Sequence, residues 1–433
     1  MRPSASIAHA LTIILSFSAA VLGLSSQNHQ VYGGDWPQIL GPHRDGQAID
    51  EQPIATNWIA SPPRQLWERS GKAGYSGAAI SGGRAYLFNR DEDEECITAV
   101  DLRNGHTVFW ETKWPATYRS SMNPDSGPRA VPTVYRDRVL CYGAAGDLVS
   151  VDSATGKIMW QRALRKELFA DDGYFGAASS PIVIDGVIVA NIGGKKGGIV
   201  GLDAKTGATL WQATDYDASY ASPIAVEIGG KAAALVVTRL RTVLIEAASG
   251  TIIGEIDFGA RGPTVNAATP LPVGNERFLL TASYGIGAHL IAFQEGKLQR
   301  SWKDVNLLAG QYNSPVLIDS VAVGVNGRED LGEVQLRAID LNGPRVLWEE
   351  PLPGPTHLIA VGNQLLQVTI DGELRVGRIS AKGIDNEAKF RLRNAERGAP
   401  HLYRALPAFS NHVLILRANI TATTSNFIAY ELP

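Results

Sequence analysis

Short apolar runs, interrupted by turn-forming residues, occur along most of this chain. The clearest example is SSPIVIDGVIVA (Ser179–Ala190), in which small residues and a proline precede two apolar runs separated by Asp185-Gly186. Alternation of this kind predicts half-buried strands, and Asp-Gly between two such runs predicts a tight hairpin. No stretch has the spacing of a long amphipathic helix, so the pattern indicates an all-β chain. Similar segments begin at Pro132, Pro223, Pro270, Pro315 and Pro407, with Ala78 at the equivalent position of the first copy.

A second phrase, Asp-x-x-Thr-Gly-x-x-x-Trp, follows these hairpins. It is complete in SVDSATGKIMW (Ser150–Trp160) and GLDAKTGATLW (Gly201–Trp211), and it recurs with small shifts before Trp110 and Trp348. Another copy keeps the turn but has Gly254 where the tryptophan is expected. The Asp side chain can accept backbone N–H bonds inside a tight turn, and glycine adopts the positive φ that the turn needs. We expect the tryptophan on the following strand, packed between neighbouring sheets.

The number of copies predicts the architecture. The interval between Pro315 and Pro407 is about twice as long as the other intervals between copies. A degenerate, or worn, copy of the repeat lies within it at His357–Leu374, with Gly362-Asn363 as its hairpin. Counting it gives eight copies of four short strands each, which is typical of propeller blades. The last copy lacks an outer strand, whereas Gln65–Ser70 is a strand without a blade. We therefore predict an eight-bladed β-propeller of four-stranded blades, closed by an N-terminal strand that completes the last blade.

The chain begins with a segment of another kind. An apolar run, Leu11–Leu24, is too short to span a membrane but suits the core of a signal peptide. We predict a signal peptide over 1–26, an N-terminal extended arm over 27–64 and the propeller over 65–433. The prediction implies export to the periplasm or the cell exterior, with no transmembrane span after cleavage. An uncleaved anchor is the alternative, and a lipid anchor is disfavoured because no cysteine lies directly after the run.

Composition and charge narrow the possible functions. Hydrophobic residues make up 45% and charged residues 19% of the chain, as in an ordinary globular protein. The formal net charge of -3, with acids and bases interspersed, gives no basic field for nucleic acid. The stretch Asp91–Glu95 is interpreted as a solvated hairpin tip rather than a calcium site, and no metal site is predicted from the histidine spacing. Whether Cys96 and Cys141 form a disulfide is left open.

The repeated phrase resembles the blade signature of the pyrroloquinoline-quinone (PQQ) repeat propellers, over the chain from about Gln65 to the end. That family includes the quinoprotein dehydrogenases and the outer-membrane β-barrel assembly lipoprotein of Gram-negative bacteria. The opening DWPQILGPHRDG (Asp35–Gly46) also resembles the lead-in of many exported bacterial proteins of this type. The resemblance implies a propeller fold and leaves the activity open, because one fold serves many functions.

The resemblance also states what a quinoprotein enzyme would require. Such enzymes bind PQQ with calcium over the central channel, and they use carboxylate and Asn ligands, an Asp base and typically a disulfide between adjacent cysteines. This chain has no adjacent cysteine pair and lacks the long insertions that build the cofactor chamber. Catalytic and cofactor-binding residues are therefore left unassigned. No cofactor is predicted, and PQQ with Ca²⁺ belongs only to the alternative function.

The positions just before the first strand of each copy are the most informative. In a propeller they converge on one rim of the central channel, and here Tyr and Arg dominate them. Both side chains offer flat contact area with a polar group, which suits recognition of a partner. The alternative is that the tyrosines only wedge neighbouring blades apart. The candidate rim residues are Tyr75, Arg129, Tyr174, Tyr220, Asn266, Tyr312, Asn313, His357, Tyr403 and Arg404.

Together these features favour an exported, non-catalytic propeller that binds a protein or polymer partner through its channel rim and loops. We expect the partner to be a protein or polysaccharide of the cell envelope and the propeller to be a monomer. The alternative is a PQQ- and calcium-dependent quinoprotein dehydrogenase that oxidises an alcohol or a sugar. A carbohydrate hydrolase or lyase would need two facing acids in the channel, and the sequence identifies none.

Overall fold

The computed structural model describes residues 34–120, 122, 125–171, 173–274, 276–392 and 402–433. The predicted signal peptide, 1–26, lies outside these residues. Within them the strands form eight sheets in succession, which confirms the predicted all-β, eight-bladed propeller. The helical elements described are α1 (Leu164–Leu168) and a 3₁₀ turn (Glu329–Leu331), and no described helix has the length and apolar character to span a bilayer.

The strands follow in chain order, and β1 (Gln47–Ala48) and β2 (Arg64–Ser70) precede the first full blade. Blades 1 to 3 contain β3 (Ala79–Ser81), β4 (Arg84–Asp91), β5 (Glu94–Asp101), β6 (Val108–Pro115), β7 (Thr133–Tyr135), β8 (Arg138–Tyr142), β9 (Asp147–Asp152), β10 (Ile158–Ala163), β11 (Ile182–Ile184), β12 (Val187–Asn191), β13 (Ile199–Asp203) and β14 (Thr209–Ala213). Blades 4 to 6 contain β15 (Ile224–Ile228), β16 (Lys231–Val237), β17 (Arg241–Glu246), β18 (Ile252–Asp257), β19 (Leu271–Pro272), β20 (Arg277–Ala282), β21 (Gly287–Gln294), β22 (Lys297–Asp304), β23 (Val316–Ile318), β24 (Val321–Arg328), β25 (Glu333–Asp340) and β26 (Arg345–Pro351). Blades 7 and 8 contain β27 (Thr356–Val361), β28 (Gln364–Thr369), β29 (Glu373–Ser380), β30 (Gly383–Arg391), β31 (Ala408–Ser410), β32 (Val413–Asn419) and β33 (Ser425–Glu431).

Each blade is an antiparallel meander that runs outward from the axis. The predicted hairpin at Asp185-Gly186 joins β11 to β12, and the one at Gly362-Asn363 joins β27 to β28 in the worn copy. The second and third strands of a blade are almost wholly buried, whereas the fourth strand is largely exposed. The core lies between neighbouring blades: one cluster joins Leu140 of blade 2 to Ile188 of blade 3.

The tryptophans of the repeated phrase connect each blade to the next. The indole N–H of Trp110 donates to the carbonyl of Ser153, 3.0 Å away, in the turn of the following blade. Gly156 in that turn has φ 74°, as the phrase predicts, and a Cβ there would lie 2.6 Å from the Trp110 ring. Trp110 therefore needs a glycine in the turn of the next blade. Indole bonds to the next blade are also made by Trp67, Trp160, Trp211, Trp302 and Trp348.

The ring closes through the N-terminal strand, as predicted. β2 pairs antiparallel with β33, and Trp67 lies opposite Ala429. The fully buried Arg417 of blade 8 donates to the carbonyls of Gly71 and Ser76, at 3.0 and 3.1 Å, in the segment that leads into blade 1. Side-chain and backbone bonds together therefore join the two ends of the ring.

The N-terminal arm has a more specific structure than the extended conformation that the sequence predicts. Its described part begins at Gly34 and forms a loop inside the ring of innermost strands. Trp36 pairs with Ile80 of β3, and β1 pairs parallel with β27 as a fifth strand on the inner edge of blade 7. Gly46 has φ 75°, and a Cβ there would lie 2.6 Å from Val316, so the loop fits closely against blade 6. We call residues 34–49 the axial plug.

Arg44 anchors the axial plug. It is fully buried, and its guanidinium donates to the carbonyls of Ser180, Pro181 and Pro223 at 2.6–2.8 Å. The residues that carry these carbonyls lie just before the innermost strands of blades 3 and 4. A buried carbonyl oxygen needs a hydrogen-bond donor. Burial lowers the pKa of Arg44 from its ordinary value to about 9. The plug thus supplies hydrogen-bond donors to these carbonyls at the centre of the propeller.

Candidate functional site

Five of the ten candidate rim residues meet in one depression at the centre of one face. They are Tyr75, Arg129, Tyr220, Tyr312 and Arg404, and the depression that they line has a volume of about 450 Å³. All five side chains are half-buried, so they combine packing with access to solvent. We call this site the axial depression.

The repeat places these residues on the same face. Each lies three residues before the landmark at the start of an innermost strand, and the innermost strands of a propeller share one direction. The axial plug lies behind them: Leu40 belongs to a buried cluster with Val131, and Leu406 packs against that cluster. Val131 and Leu406 follow Arg129 and Arg404 by two residues. The axial plug therefore packs behind the segments that carry Arg129 and Arg404.

A balanced ion pair forms one wall of the depression. Glu329, from the 3₁₀ turn of blade 6, accepts a hydrogen bond from the Tyr312 hydroxyl at 3.1 Å and pairs with the Arg404 guanidinium of blade 8. Burial and the Glu329 charge raise the pKa of Tyr312 above its ordinary value, so the phenol stays protonated. Burial alone would lower the pKa of Arg404. The hydrogen bond that Arg404 donates to Glu329 and the negative charge of Glu329 outweigh the effect of burial, so the pKa of Arg404 is raised.

Two further candidates support this wall from beneath. His357 Nε2 lies 3.0 Å from the Arg404 carbonyl oxygen, and His357 Nδ1 lies 3.3 Å from Asn313 Nδ2. This arrangement assigns a neutral imidazole that donates through Nε2 and accepts through Nδ1. Burial lowers the pKa of His357 to about 4, which keeps the ring neutral at pH 7. His357 and Asn313 are both buried and hold the Arg404 segment in place.

The side of the depression formed by blades 1 and 2 contains the other arginine of the lining, Arg129. Arg129 donates to the backbone carbonyls of Gly127 and Asp125, at 2.8 and 3.0 Å. Its guanidinium carbon lies 5.5 Å from the centre of the Tyr75 ring, a distance at which a cation is attracted to the ring face. Within the described part of the chain, its recorded hydrogen-bond acceptors are carbonyls and not carboxylates. The Arg129 guanidinium therefore brings a positive charge to this side.

Tyr220 lines both the axial depression and a smaller cavity of about 160 Å³ between blades 3 and 4. Its hydroxyl oxygen accepts the backbone N–H groups of Tyr174 and Phe175, at 2.9 and 3.1 Å. Burial raises the pKa of Tyr220, so the hydroxyl keeps its own proton. The candidates Tyr174 and Asn266 both line this second cavity. Asn266 is buried there and donates to the Arg239 carbonyl at 3.1 Å.

The last candidate, Tyr403, is 1% exposed and packs in the core that joins blades 7, 8 and 1. The polar residues of the depression and its wall that are not among the candidates are Tyr284, Gln311 and Glu329. Tyr284 and Glu329 belong to turns between the second and third strands of their blades, and no repeated landmark marks these turns. Gln311 had a signal, since it precedes a candidate rim tyrosine.

The acidic stretch Asp91–Glu95 is solvated only in part. The tip of the hairpin is exposed, but Glu95 is buried between blades 1 and 2, where it accepts the N–H groups of Ala144 and Trp114 at 2.8 and 3.1 Å. Burial raises the pKa of Glu95 to about 7. Cys96 and Cys141 are buried free thiols. The described residues hold no group of three or more His, Cys, Asp or Glu side chains able to bind a metal.

The fold and the repeated phrase define this protein as a PQQ-like β-propeller. A family model described as outer membrane protein assembly factor BamB matches residues 93–350 and, in an overlapping match, residues 195–418. Because the first match alone covers more than half of the chain, the protein belongs to this family. No curated protein matches it at a significant level.

Solved structures share the fold at low sequence identity. A europium-containing methanol dehydrogenase is similar with a TM-score of 0.67 and 10% identity, over 93% of this chain and 98% of that one. BamB from Moraxella catarrhalis gives 0.57 and 13%, over 86% and 98%. Quinohemoprotein alcohol dehydrogenase from Comamonas testosteroni gives 0.52 and 13%, over 93% and 81%. At these identities the likeness shows the fold alone.

The residues at the axial depression do not fit a calcium–quinone pair. Calcium prefers several oxygen ligands, with carboxylates among them. The side chains that line the depression are aromatic, aliphatic, amide and arginine groups. The neighbouring carboxylate, Glu329, is already engaged by Arg404 and Tyr312. We therefore derive no reaction step through PQQ or calcium.

Proposed function

We propose that this protein is an exported, non-catalytic binding propeller, and that it holds a protein or polymer partner on the face that carries the axial depression. One observation supports the proposal above others. Half-buried tyrosine and arginine side chains from five blades converge on one depression. Tyr and Arg are the residue types that dominate binding energy at protein interfaces.

The rigidity of the scaffold favours binding without large rearrangement. The rim residues lie just before the innermost strands of a closed ring of sheets, and His357 holds the Arg404 segment from beneath. A partner that contacts them has little backbone to order, so less of the interaction energy is lost on binding. The loops around the depression add further contact surface.

The location and the partner class are part of the same proposal. The apolar run Leu11–Leu24 supports export. The matched family is described as an outer membrane protein assembly factor, which supports a protein partner in the cell envelope. A polysaccharide of the envelope is the other partner class that the proposal includes.

The proposal is tested by capture from envelope extracts. We expect wild-type protein to retain a defined macromolecule and Tyr75→Ala to lose it. Tyr216→Ala is the matched control, because Tyr216 lies outside the depression and bonds to Glu255. Stoichiometric binding of PQQ in the presence of Ca²⁺, with dye-linked oxidation of an alcohol or a sugar, would contradict the proposal and favour the dehydrogenase alternative.

A further inference from the structure

We infer that the axial depression receives an acidic peptide segment, in which a side-chain carboxylate lies against Arg129 and Tyr75 and a neighbouring apolar side chain lies against Tyr220. This inference rests on the proposed function and specifies its ligand class. It separates an acidic peptide from a polysaccharide, the other partner class considered above.

The charges of the depression support a carboxylate. Its lining contains two arginines, and one of them, Arg404, is already neutralised by Glu329. Arg129 donates to backbone carbonyls, which carry no net charge. A ligand carboxylate would pair with the Arg129 guanidinium and neutralise its charge, as Glu329 neutralises the charge of Arg404. Charge-assisted bonds between arginine and carboxylate are among the stronger hydrogen bonds in proteins.

The hydroxyl groups of the lining support the same ligand chemistry. The Tyr220 oxygen accepts two backbone N–H groups, which leaves its proton to be donated. Within the described residues, no hydrogen bond is recorded for the Tyr75 hydroxyl. The amide oxygen of Gln311 already accepts the backbone N–H of Glu329, at 2.9 Å. The lining is therefore rich in donors, and an acceptor-rich anion suits it.

The remaining surface of the depression favours a peptide over a sugar chain. Phe175, Ala178, Val265 and Ala267 form an apolar part of the lining next to Tyr220. A sugar carries many hydroxyl groups that each need acceptors as well as donors, and leaving them unpaired costs binding energy. An acidic residue beside an aromatic one places its carboxylate at the arginine and its ring on the apolar part.

The test uses two labelled, end-blocked octapeptides of glycine and serine with a central pair, phenylalanine–glutamate in one and phenylalanine–glutamine in the other. Binding to the full protein is measured by fluorescence anisotropy. We expect the glutamate peptide to bind about 10-fold more tightly at low salt, since a hydrogen bond to a charged group is worth more than a neutral one. We also expect the ratio to fall as NaCl is added, because salt screens exposed charges.

Variants locate the effect. Arg129→Gln should remove the preference for glutamate, whereas Arg129→Lys should keep part of it because the charge is retained. Arg261→Gln is the matched control, since Arg261 is an exposed arginine outside the depression, and it should leave the preference unchanged. Equal binding of the two peptides, or a preference that survives Arg129→Gln, would overturn the inference.

Trigalacturonate separates the inference from the wider proposal. We expect it to displace the glutamate peptide poorly. Displacement at lower concentration than the unlabelled glutamate peptide would overturn the inference in favour of an acidic polysaccharide, and the binding function would stand. Capture of a partner that depends on Tyr75, without any preference for glutamate, would also overturn the inference alone. Turnover with PQQ and Ca²⁺ would overturn both.

Discussion

The periphery and the axis of the propeller use the same repeat in opposite ways. At the periphery, Trp67, Trp110 and Trp160 occupy equivalent positions in successive blades, and each indole donates to a carbonyl of the next blade. At the axis, equivalent positions hold different residues, such as Arg129 in blade 2 and Tyr220 in blade 4. Repetition at the periphery serves assembly of the ring, whereas variation at the axis gives the central face its own chemistry.

The axial plug sharpens this difference. A symmetric ring leaves carbonyls facing the centre from every blade, and one non-repeated segment satisfies several of them through Arg44. The same segment supplies a fifth strand to blade 7, whose copy of the repeat is the most degraded. The two regions therefore predict different consequences of substitution.

The largest effect is expected at the plug. Arg44→Met removes the donor for three buried carbonyls at nearly constant volume, and each unsatisfied group costs about 1–3 kcal/mol. We expect the free energy of unfolding to fall by about 4 kcal/mol. Urea unfolding followed by tryptophan fluorescence measures it. Arg64→Met is the control, because Arg64 is exposed and its ion pair with Glu431 should contribute less than about 1 kcal/mol. Equal losses would show that the plug does not anchor the axis.

The next effect depends on pH. The pKa of Glu95 is raised from 4.5 to about 7, so the folded state binds a proton that the unfolded state has lost between these values. The free energy of unfolding should therefore fall by about 3 kcal/mol as pH rises from about 4.5 to 7, and then level off. Glu95→Gln should flatten this part of the profile. An unchanged slope in the variant would assign the pH dependence to other groups.

A smaller effect separates packing from backbone strain at the periphery. Gly156→Ala and Gly186→Ala both place alanine at positive φ, at 74° and 84°. Only at Gly156 would the new Cβ meet a neighbour, the Trp110 ring at 2.6 Å, because nothing lies within 4 Å of the other site. We expect Gly156→Ala to be more destabilising by about 2 kcal/mol. Equal Tm shifts in calorimetry would show that the indole does not require the glycine.

The smallest effect on stability is expected at the axial depression. Tyr75→Phe removes a hydroxyl without a recorded partner in the described residues, so the free energy of unfolding should change by less than about 0.5 kcal/mol. The same urea titration measures it. A loss as large as that of Gly156→Ala would indicate that the tyrosine wedges blades apart rather than serving the surface.

The sequence predicts the repeated parts well because repetition reports local geometry. The glycine turn before Trp160, the worn hairpin at Gly362-Asn363 and the closing strand at Trp67 all follow from it. The position of the axial plug could not be predicted, although the motif Asp35–Gly46 was visible in the sequence. The carbonyls to which Arg44 donates belong to residues far away in the chain. Glu329 was missed for the same reason, since its pairing with Arg404 forms only when the ring closes.

The central claim is that the axial depression, not the outer edge, contacts the partner. A photo-crosslinking residue at Ala267, which lines the depression, is compared with one at Leu210, which is exposed on the outermost strand of blade 3. After irradiation in envelope extracts, we predict a discrete cross-linked product from position 267 and none from position 210. A product from position 210 alone would contradict the account.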